Sequence, residues 1–191
     1  MDCNVLITLN TIFSLVFFIF SLVLPLMHIL LSGQSHYKMA DIYEIMLKYS
    51  LFFNVGCAFL LTFVGQCVYA PEVASCMGWQ HSVFQYEVAF SQLGVAVIGF
   101  LCVLYTAEFW LSAIIGASVW LWGAAIVHIV DSILRSNYSI GNIGFTLYWD
   151  LFLPFWLIGL YYIWVKAHIK DNDTLARVNY TQTSCNGKDN V

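Results

Sequence analysis

The feature that most constrains this chain is a series of apolar runs, each long enough to cross a bilayer. A helix needs roughly 20 apolar residues to span the hydrocarbon region. Runs of that kind lie at about 5–31, 43–69, 84–105, 109–130 and 145–164. Because 61% of the 191 residues are apolar and only 9% are charged, little polar surface remains for a soluble domain. The sequence predicts an all-α, polytopic membrane protein with five transmembrane helices.

The pattern inside the runs excludes the other spanning structure, a closed β-barrel. Barrel strands show roughly ten-residue segments of alternating polarity, whereas residues 15–26 are almost uninterrupted apolar sequence. The first run also differs from a cleaved signal peptide, because it starts with Asp2 instead of a basic residue and is longer than such segments. Seven Lys and Arg against eleven Asp and Glu leave no basic surface for nucleic acid. The lipid bilayer is therefore the expected partner of residues 1–165.

The composition changes at Lys166, after which Lys, Asp, Asn, Thr and Gln predominate. Such a segment buries too little apolar surface to order itself. Residues 166–191 are therefore predicted to form a disordered polar tail.

The distribution of basic residues predicts the orientation in the membrane, because Lys and Arg are retained on the cytoplasmic side. With the N-terminus outside, six of the seven basic residues lie inside and only Arg135 lies outside. We therefore expect an integral protein of a plasma or inner membrane, with an external N-terminus and a cytoplasmic C-terminus. Asn137 then carries the one external glycosylation sequon. The sequence does not decide between a Cys67–Cys76 disulfide and unpaired thiols at these positions.

Ionisable side chains inside apolar spans are rare, because burying a charge in hydrocarbon costs a few kcal/mol or more. In the predicted topology, four such residues from three helices share the outer third of the membrane: Glu87, His128, Asp131 and Asp150. This convergence predicts an outward-facing polar pocket that binds a small molecule or ion.

Two further residues are assigned to the predicted pocket. Asn54, deeper in the second span, is a candidate for its floor. Gln85 begins a stripe of small and polar residues along the third span, nearly opposite the stripe of Glu87, Ser91 and Gly94. A helix with two such faces is expected to lie at the centre of the bundle.

Each polar residue also has a plain structural interpretation. In this interpretation His128 and Asp131 form an ion pair at the membrane interface. Asp150 interacts with the dipole of the first turn of its helix, and Glu87 is solvated. Trp79, Trp110 and Trp164 lie near span ends, which is typical of membrane-interface anchors. No HxxxH or CxxC spacing occurs, so neither a metal site nor a cofactor is assigned.

Three classes of function stay open. The leading hypothesis is binding, with or without transport, of a small molecule or ion. The second is a membrane enzyme in which Glu87 or Asp150 acts as acid or base on a lipophilic substrate, with His128 as proton partner. The third is a structural subunit, whose small-residue helix faces dock a second copy or a partner subunit.

The chain resembles a family of small, mainly bacterial multi-helix membrane proteins of unknown function. The matching stretches are Leu51–Gly56, Gly78–Trp79 with Ser82, Phe84, Gln85 and Glu87, Phe109–Trp110, His128, Gly141-Asn142-x-Gly144, and Asp150 with Pro154. This resemblance implies a four-helix unit preceded by an additional span, and it implies no activity. A fainter resemblance, on Trp79, Phe84 and Glu87, is to sterol isomerase and sigma-2-type membrane domains, whose acidic residues bind amines or move protons.

Overall fold

The computed structural model describes residues 2–33 and 36–186, with side chains described up to residue 172, and the regular elements in these ranges are helical. Their order is α1 (Cys3–Leu31), α2 (Met39–Ser50), a π-helical segment (Leu51–Cys57), α3 (Ala58–Val68), α4 (Ala70–Met77), α5 (Phe84–Leu101), α6 (Glu108–Leu134), α7 (Ile140–Ile143) and α8 (Phe145–Asn186). Five stretches are long and apolar enough to cross a membrane: Cys3–Leu31, Met39–Val68, Phe84–Leu101, Glu108–Leu134 and Ile140–Asn172. The predicted helical membrane fold is confirmed.

The second span, formed by α2, the π-helical segment and α3, lies at the centre of the bundle. It packs against α1, α5, α6 and α8. The expectation that α5 is central was wrong, because only one of its two stripes is buried. Ala89, Gln92, Ala96 and Gly99 face the second span, whereas the opposite stripe around Ser91 is exposed. The outward-facing apolar side chains of the bundle are compatible with contact with a lipid bilayer.

Helix α5 approaches the π-helical segment closely at two glycines. A Cβ atom added to Gly99 would lie 2.4 Å from the backbone nitrogen of Gly56, and one added to Gly56 would lie 2.7 Å from the ring of Phe100. Glycine at both positions therefore lets the two backbones meet, as small residues do at helix interfaces in membranes.

The two ends of the bundle differ in chemistry. The end that contains the first residues of α1, α4 and α7 is called here the Cys3 end, and the opposite end, where α2 begins, the Lys38 end. At the Cys3 end, a disulfide joins Cys3 to Cys76. This pairing replaces the Cys67–Cys76 alternative, and Cys67 is a free thiol.

The core near the Lys38 end is apolar and includes two of the predicted membrane anchors. Trp110 and Trp164 are buried, with ring centroids 5.1 Å apart. The indole of Trp110 donates a hydrogen bond to the carbonyl of Cys102 at 2.8 Å. Interface anchoring was therefore wrong for this pair, because both indoles lie inside the bundle, where Trp110 has a backbone carbonyl as its polar partner and the indole nitrogen of Trp164 has none among the described residues.

Helix α8 does not end at the predicted boundary near Trp164 but continues to Asn186. Residues 166–186 contain neither glycine nor proline, so nothing in the sequence interrupts the helix. The carboxylate of Asp171 also accepts a hydrogen bond from the backbone of Ala40 at 3.4 Å, which ties α8 to the start of α2. Of the predicted disordered tail, residues 187–191 lie outside the described part of the chain.

We predict that Gly99→Ala lowers the thermal unfolding temperature of the purified protein, because α5 must move away from Gly56. Overpacking of this kind costs about 1–3 kcal/mol. The matched control is Gly94→Ala on the exposed side of the same helix, where an added Cβ has no neighbour within 4 Å. Equal unfolding temperatures for the two variants, measured by intrinsic fluorescence in detergent, would contradict this packing.

Candidate functional site

Asp131 is the centre of a hydrogen-bonded polar cluster at the Cys3 end. Although it lies in α6 and is only 7% exposed, its carboxylate accepts a hydrogen bond from the indole of Trp79 at 2.8 Å and a second from the side-chain amide of Asn137. Arg135, one turn further along α6, forms an ion pair with it at 3.4 Å. These partners satisfy the buried carboxylate and join α6 to the two loops above it.

The loops around this cluster pack tightly. The amide of Asn137 also donates to the carbonyl of Met77 at 2.8 Å, and its oxygen accepts from the backbone and hydroxyl of Ser139. Gly78 ends α4 with a φ of +71°, and a Cβ there would meet the Ser139 hydroxyl at 2.5 Å. A Cβ on Gly141 would lie 2.5 Å from the carbonyl oxygen of Cys76. Glycine is therefore required at both positions.

His128 lies one turn deeper in α6, and its neighbours fix its tautomer. The side-chain nitrogen of Asn142 donates to the carbonyls of Asn137 and His128, so its oxygen faces the ring of His128. That oxygen accepts a hydrogen bond from Nδ1 at 2.8 Å, so Nδ1 carries a proton. Nε2 has no hydrogen-bond partner among the described residues.

The indole of Trp79 covers His128. The two rings are nearly parallel, with an interplanar angle of 9° and centroids 5.5 Å apart. Because the same indole donates to Asp131, one side chain from the loop after α4 contacts both His128 and Asp131 of α6. Trp79 is thus a partner of the polar cluster and not a free membrane anchor.

Asp150 is a largely buried residue whose carboxylate has no partner among the described residues. It lies in the second turn of α8 and is 6% exposed. In the part of the chain whose side chains are described, no group donates a hydrogen bond to it or forms an ion pair with it. It precedes the buried Pro154 by four residues, and proline has no amide hydrogen to donate to the carbonyl of Asp150.

Helix register places His128 and Asp150 at the same depth. The rings of Trp122 and Phe155 meet across α6 and α8, with centroids 5.4 Å apart. At 1.5 Å per residue, His128 lies about 9 Å and Asp150 about 7.5 Å from this contact, both toward the Cys3 end. The free imidazole nitrogen and the unpaired carboxylate therefore belong to one layer of the bundle.

The other predicted site residues lie elsewhere. Glu87 is exposed on α5, without a polar contact among the described residues, and Gln85 accepts a hydrogen bond from the backbone of Ser82 at 3.4 Å. Asn54 is buried in the π-helical segment, where its nitrogen donates to the hydroxyl of Ser21 at 3.0 Å. The structure thus joins His128 to Asp131 through shared partners and sets Asp150 beside them in depth. It does not bring Glu87 into this network.

Sequence reasoning missed three residues of the cluster. Trp79 suggested a membrane anchor, Asn137 a glycosylation site, and Asn142 only part of a motif. The available signal was the combination of Gly78-Trp79 with Gly141-Asn142-x-Gly144, because both motifs lie in loops at the same predicted end. With its nitrogen donating two hydrogen bonds, Asn137 is unsuited to carry a glycan without loss of those bonds.

The ionisable side chains near the Cys3 end do not form a cluster of several metal ligands. Within residues 2–33 and 36–172, no three His, Cys, Asp or Glu side chains are grouped closely enough to hold a metal ion.

We predict that Asp131→Ala destabilises the protein by about 1–3 kcal/mol for each neutral donor left unsatisfied, because the indole of Trp79 and the amide of Asn137 lose their shared acceptor. Thermal unfolding of the purified variant measures the loss. Ser132→Ala is the matched control, since that hydroxyl donates only to the carbonyl of Ile129 in its own helix. An unfolding temperature for Asp131→Ala equal to that of Ser132→Ala would contradict the role of Asp131.

Comparison with known proteins agrees with the resemblance noted in the sequence. No curated protein and no solved structure matches the chain. A family model does match, over residues 11–170, and its description is a family of unknown function, DUF6790. The match begins inside α1, so it includes most of the first span together with the polar cluster. The chain therefore belongs to the DUF6790 family.

Proposed function

We propose that this protein binds a small cation, either an inorganic ion or a protonated amine, between α6 and α8 near the Cys3 end. The observation that carries the proposal is the burial of the Asp150 carboxylate without a partner among the described residues. A charged side chain costs about 2.5–3.5 kcal/mol at the centre of a bilayer on insertion scales, and less toward its surface. A bound cation would offset this cost for the ionised carboxylate of Asp150, and uptake of a proton is the competing way to remove the charge.

The charges around Asp150 favour a cation over an anion. Arg135 offsets the charge of Asp131 by pairing with it, whereas Asp150, when ionised, has no positive partner among the described residues. At the same depth, Nε2 of His128 offers a lone pair whenever the ring is neutral, and the aromatic ring of Trp79 lies parallel to the imidazole. Carboxylates, lone pairs and aromatic faces all attract positive charge.

The remaining predicted residues have supporting roles in this proposal. Glu87 is exposed near the Cys3 end of α5, where its charge raises the local concentration of cations. Gln85 holds the turn that precedes Glu87 through its bond to Ser82. Asp131 positions His128, because Trp79 and Asn137 bind the Asp131 carboxylate and in turn contact the imidazole or Asn142.

The first test of this function is Asp150→Asn, which removes the charge and keeps the shape. Without added small cations, in choline chloride, we expect the variant to be at least as stable as the wild type, because the amide has the same shape as the carboxyl group and carries no charge for burial to penalise. Sodium, potassium or methylammonium chloride should raise the unfolding temperature of the wild type only. Binding at one hundred times Kd stabilises a protein by about 2.7 kcal/mol.

The matched control is Asp171→Asn, which removes an acidic side chain at the Lys38 end, far from His128. This variant should keep the cation-dependent stabilisation. The proposal is wrong if none of the three cations stabilises the wild type, or if Asp150→Asn responds to them as the wild type does.

We also propose that the Cys3 end faces the outside of the cell, in a plasma or inner membrane, and that the C-terminus is cytoplasmic. The Cys3–Cys76 disulfide supports this orientation, because disulfides persist in oxidising compartments. Lys38, Lys48 and Lys166 at the opposite end support it independently, since basic residues collect on the cytoplasmic side.

Labelling of intact cells with a membrane-impermeant maleimide tests the orientation. In a background that keeps Cys3 and Cys76 and replaces the other cysteines with serine, Tyr138→Cys should react without permeabilisation. Tyr138 lies in the loop after α6 and is 68% exposed. Ser32→Cys, exposed at the end of α1, should react only after permeabilisation. The reverse pattern would refute the proposed topology.

A further inference from the structure

We propose that a groove between α6 and α8 binds one acyl chain of a phospholipid with an ethanolamine headgroup, from the leaflet at the Lys38 end. This site is separate from the proposed cation site, which lies nearer the Cys3 end of the same two helices. Three observations support it: the apolar lining of the groove, its length along α6, and two opposite charges beside its end.

The groove is apolar and lies where α6 packs against α8. It has a volume of about 270 Å³, and its lining includes one helical stripe of α6 and two residues of α8: Leu111, Ile115, Ser118, Trp122, Ile158 and Tyr161. The small Ser118 is buried at the floor, whereas Ile115 and Ile158 are exposed on the outer surface of the bundle. Acyl chains surround such side chains in a bilayer and are equally apolar, so a chain seated here gains van der Waals contact with both helices.

The length of the groove matches the depth of one leaflet. From Leu111 to Trp122, α6 rises about 16.5 Å at 1.5 Å per residue. The hydrocarbon core of a bilayer is about 30 Å thick, so one leaflet contributes about 15 Å. Trp122, at the far end, meets the ring of Phe155 on α8 with centroids 5.4 Å apart. A chain that enters from the Lys38 end therefore reaches this aromatic contact near the middle of the membrane.

Two residues of opposite charge continue the walls of the groove toward the Lys38 end. The exposed Glu108 lies in the first turn of α6, three residues before Leu111 and on the same helical stripe. On α8, Ile158, Tyr162 and Lys166 follow one another at intervals of four residues. The ammonium of Lys166 lies 4.5 Å from the ring centroid of Tyr162, which directs it back along this row. Neither charge has an ion-pair partner in the part of the chain whose side chains are described.

The two charges lie at one level and match the headgroup. The rings of Trp110 and Trp164 meet across α6 and α8, with centroids 5.1 Å apart. Glu108 lies two residues beyond this contact on α6, and Lys166 lies two residues beyond it on α8, so each is about 3 Å further toward the Lys38 end. An ethanolamine headgroup offers a phosphate to Lys166 and a protonated amine to Glu108. A choline headgroup has no N–H to donate, and a glycerol headgroup has no positive charge.

Native mass spectrometry of the purified full chain tests this inference, because it counts individual bound lipids. Phosphatidylethanolamine, phosphatidylglycerol and phosphatidylcholine with identical acyl chains are titrated separately into the detergent solution. We expect the first molecule of phosphatidylethanolamine to bind with the lowest Kd of the three. Lys166→Gln and Glu108→Gln should each raise that Kd about threefold, which is the size expected for a partly exposed ion pair.

Three further variants separate the groove from the rest of the surface. Ile158→Trp fills the groove and should raise the Kd of the first lipid at least about tenfold, whatever its headgroup, because the chain loses its seat. Ile163→Trp is the matched control, since Ile163 lies on α8 outside the groove and is 44% exposed, against 41% for Ile158. Lys38→Gln removes a basic residue at the start of α2 and should leave the Kd unchanged. The unfolding temperature verifies that each variant has folded.

Several results would overturn this assignment. Ile158→Trp binding lipid as tightly as Ile163→Trp would exclude the groove. Equal Kd values for the three lipids, or tightest binding of phosphatidylglycerol or phosphatidylcholine, would exclude the ethanolamine headgroup, as would an unchanged Kd in both Lys166→Gln and Glu108→Gln. The cation-dependent stabilisation of the wild type is measured without added lipid, so the proposed function succeeds or fails independently.

Discussion

The interior of a bilayer offers no water to hydrogen-bond with polar groups, and this constraint accounts for most of the bundle. Asp131 shows the constraint satisfied, because an indole, an amide and a guanidinium surround one carboxylate and thereby fasten the loops to α6. Asp150 shows it unsatisfied on a neighbouring helix. Two carboxylates under the same constraint thus have opposite roles, one holding the fold and one available to a ligand.

The fold was predictable because the same simple sequence feature, a long apolar run, occurs five times. Each apolar run is long enough to identify a span without any knowledge of its neighbours, and five such runs leave little freedom. The π-helical segment was not predictable in this way, since residues 51–57 are as apolar as an ordinary helix and the reason for the wider turn, the approach of Gly56 to Gly99, lies on another helix. The continuation of α8 beyond Trp164 depends likewise on a distant contact between Asp171 and Ala40.

For the candidate site, the sequence predicts how deep each residue lies in the membrane better than it predicts which way its side chain points. It places His128, Asp131 and Asp150 near one end, but which of them have partners depends on loop residues that only the fold brings together. Trp79 and Asn142 reach His128 from two separate loops. Glu87 has the right depth, yet lies on the exposed face of α5. Helical periodicity alone could not distinguish that face from the buried one, because both carry small and polar residues.

The central claim is that the carboxylate of Asp150 holds a cation, and locating a heavy cation in an experimental structure tests it most directly. Thallium(I) replaces small monovalent ions and is identified by its anomalous scattering. The account predicts an anomalous peak in contact with the Asp150 carboxylate, on the side of α8 that faces His128. A thallium-soaked crystal in which Asp150 instead accepts hydrogen bonds from the protein, with no peak beside it, would contradict the account.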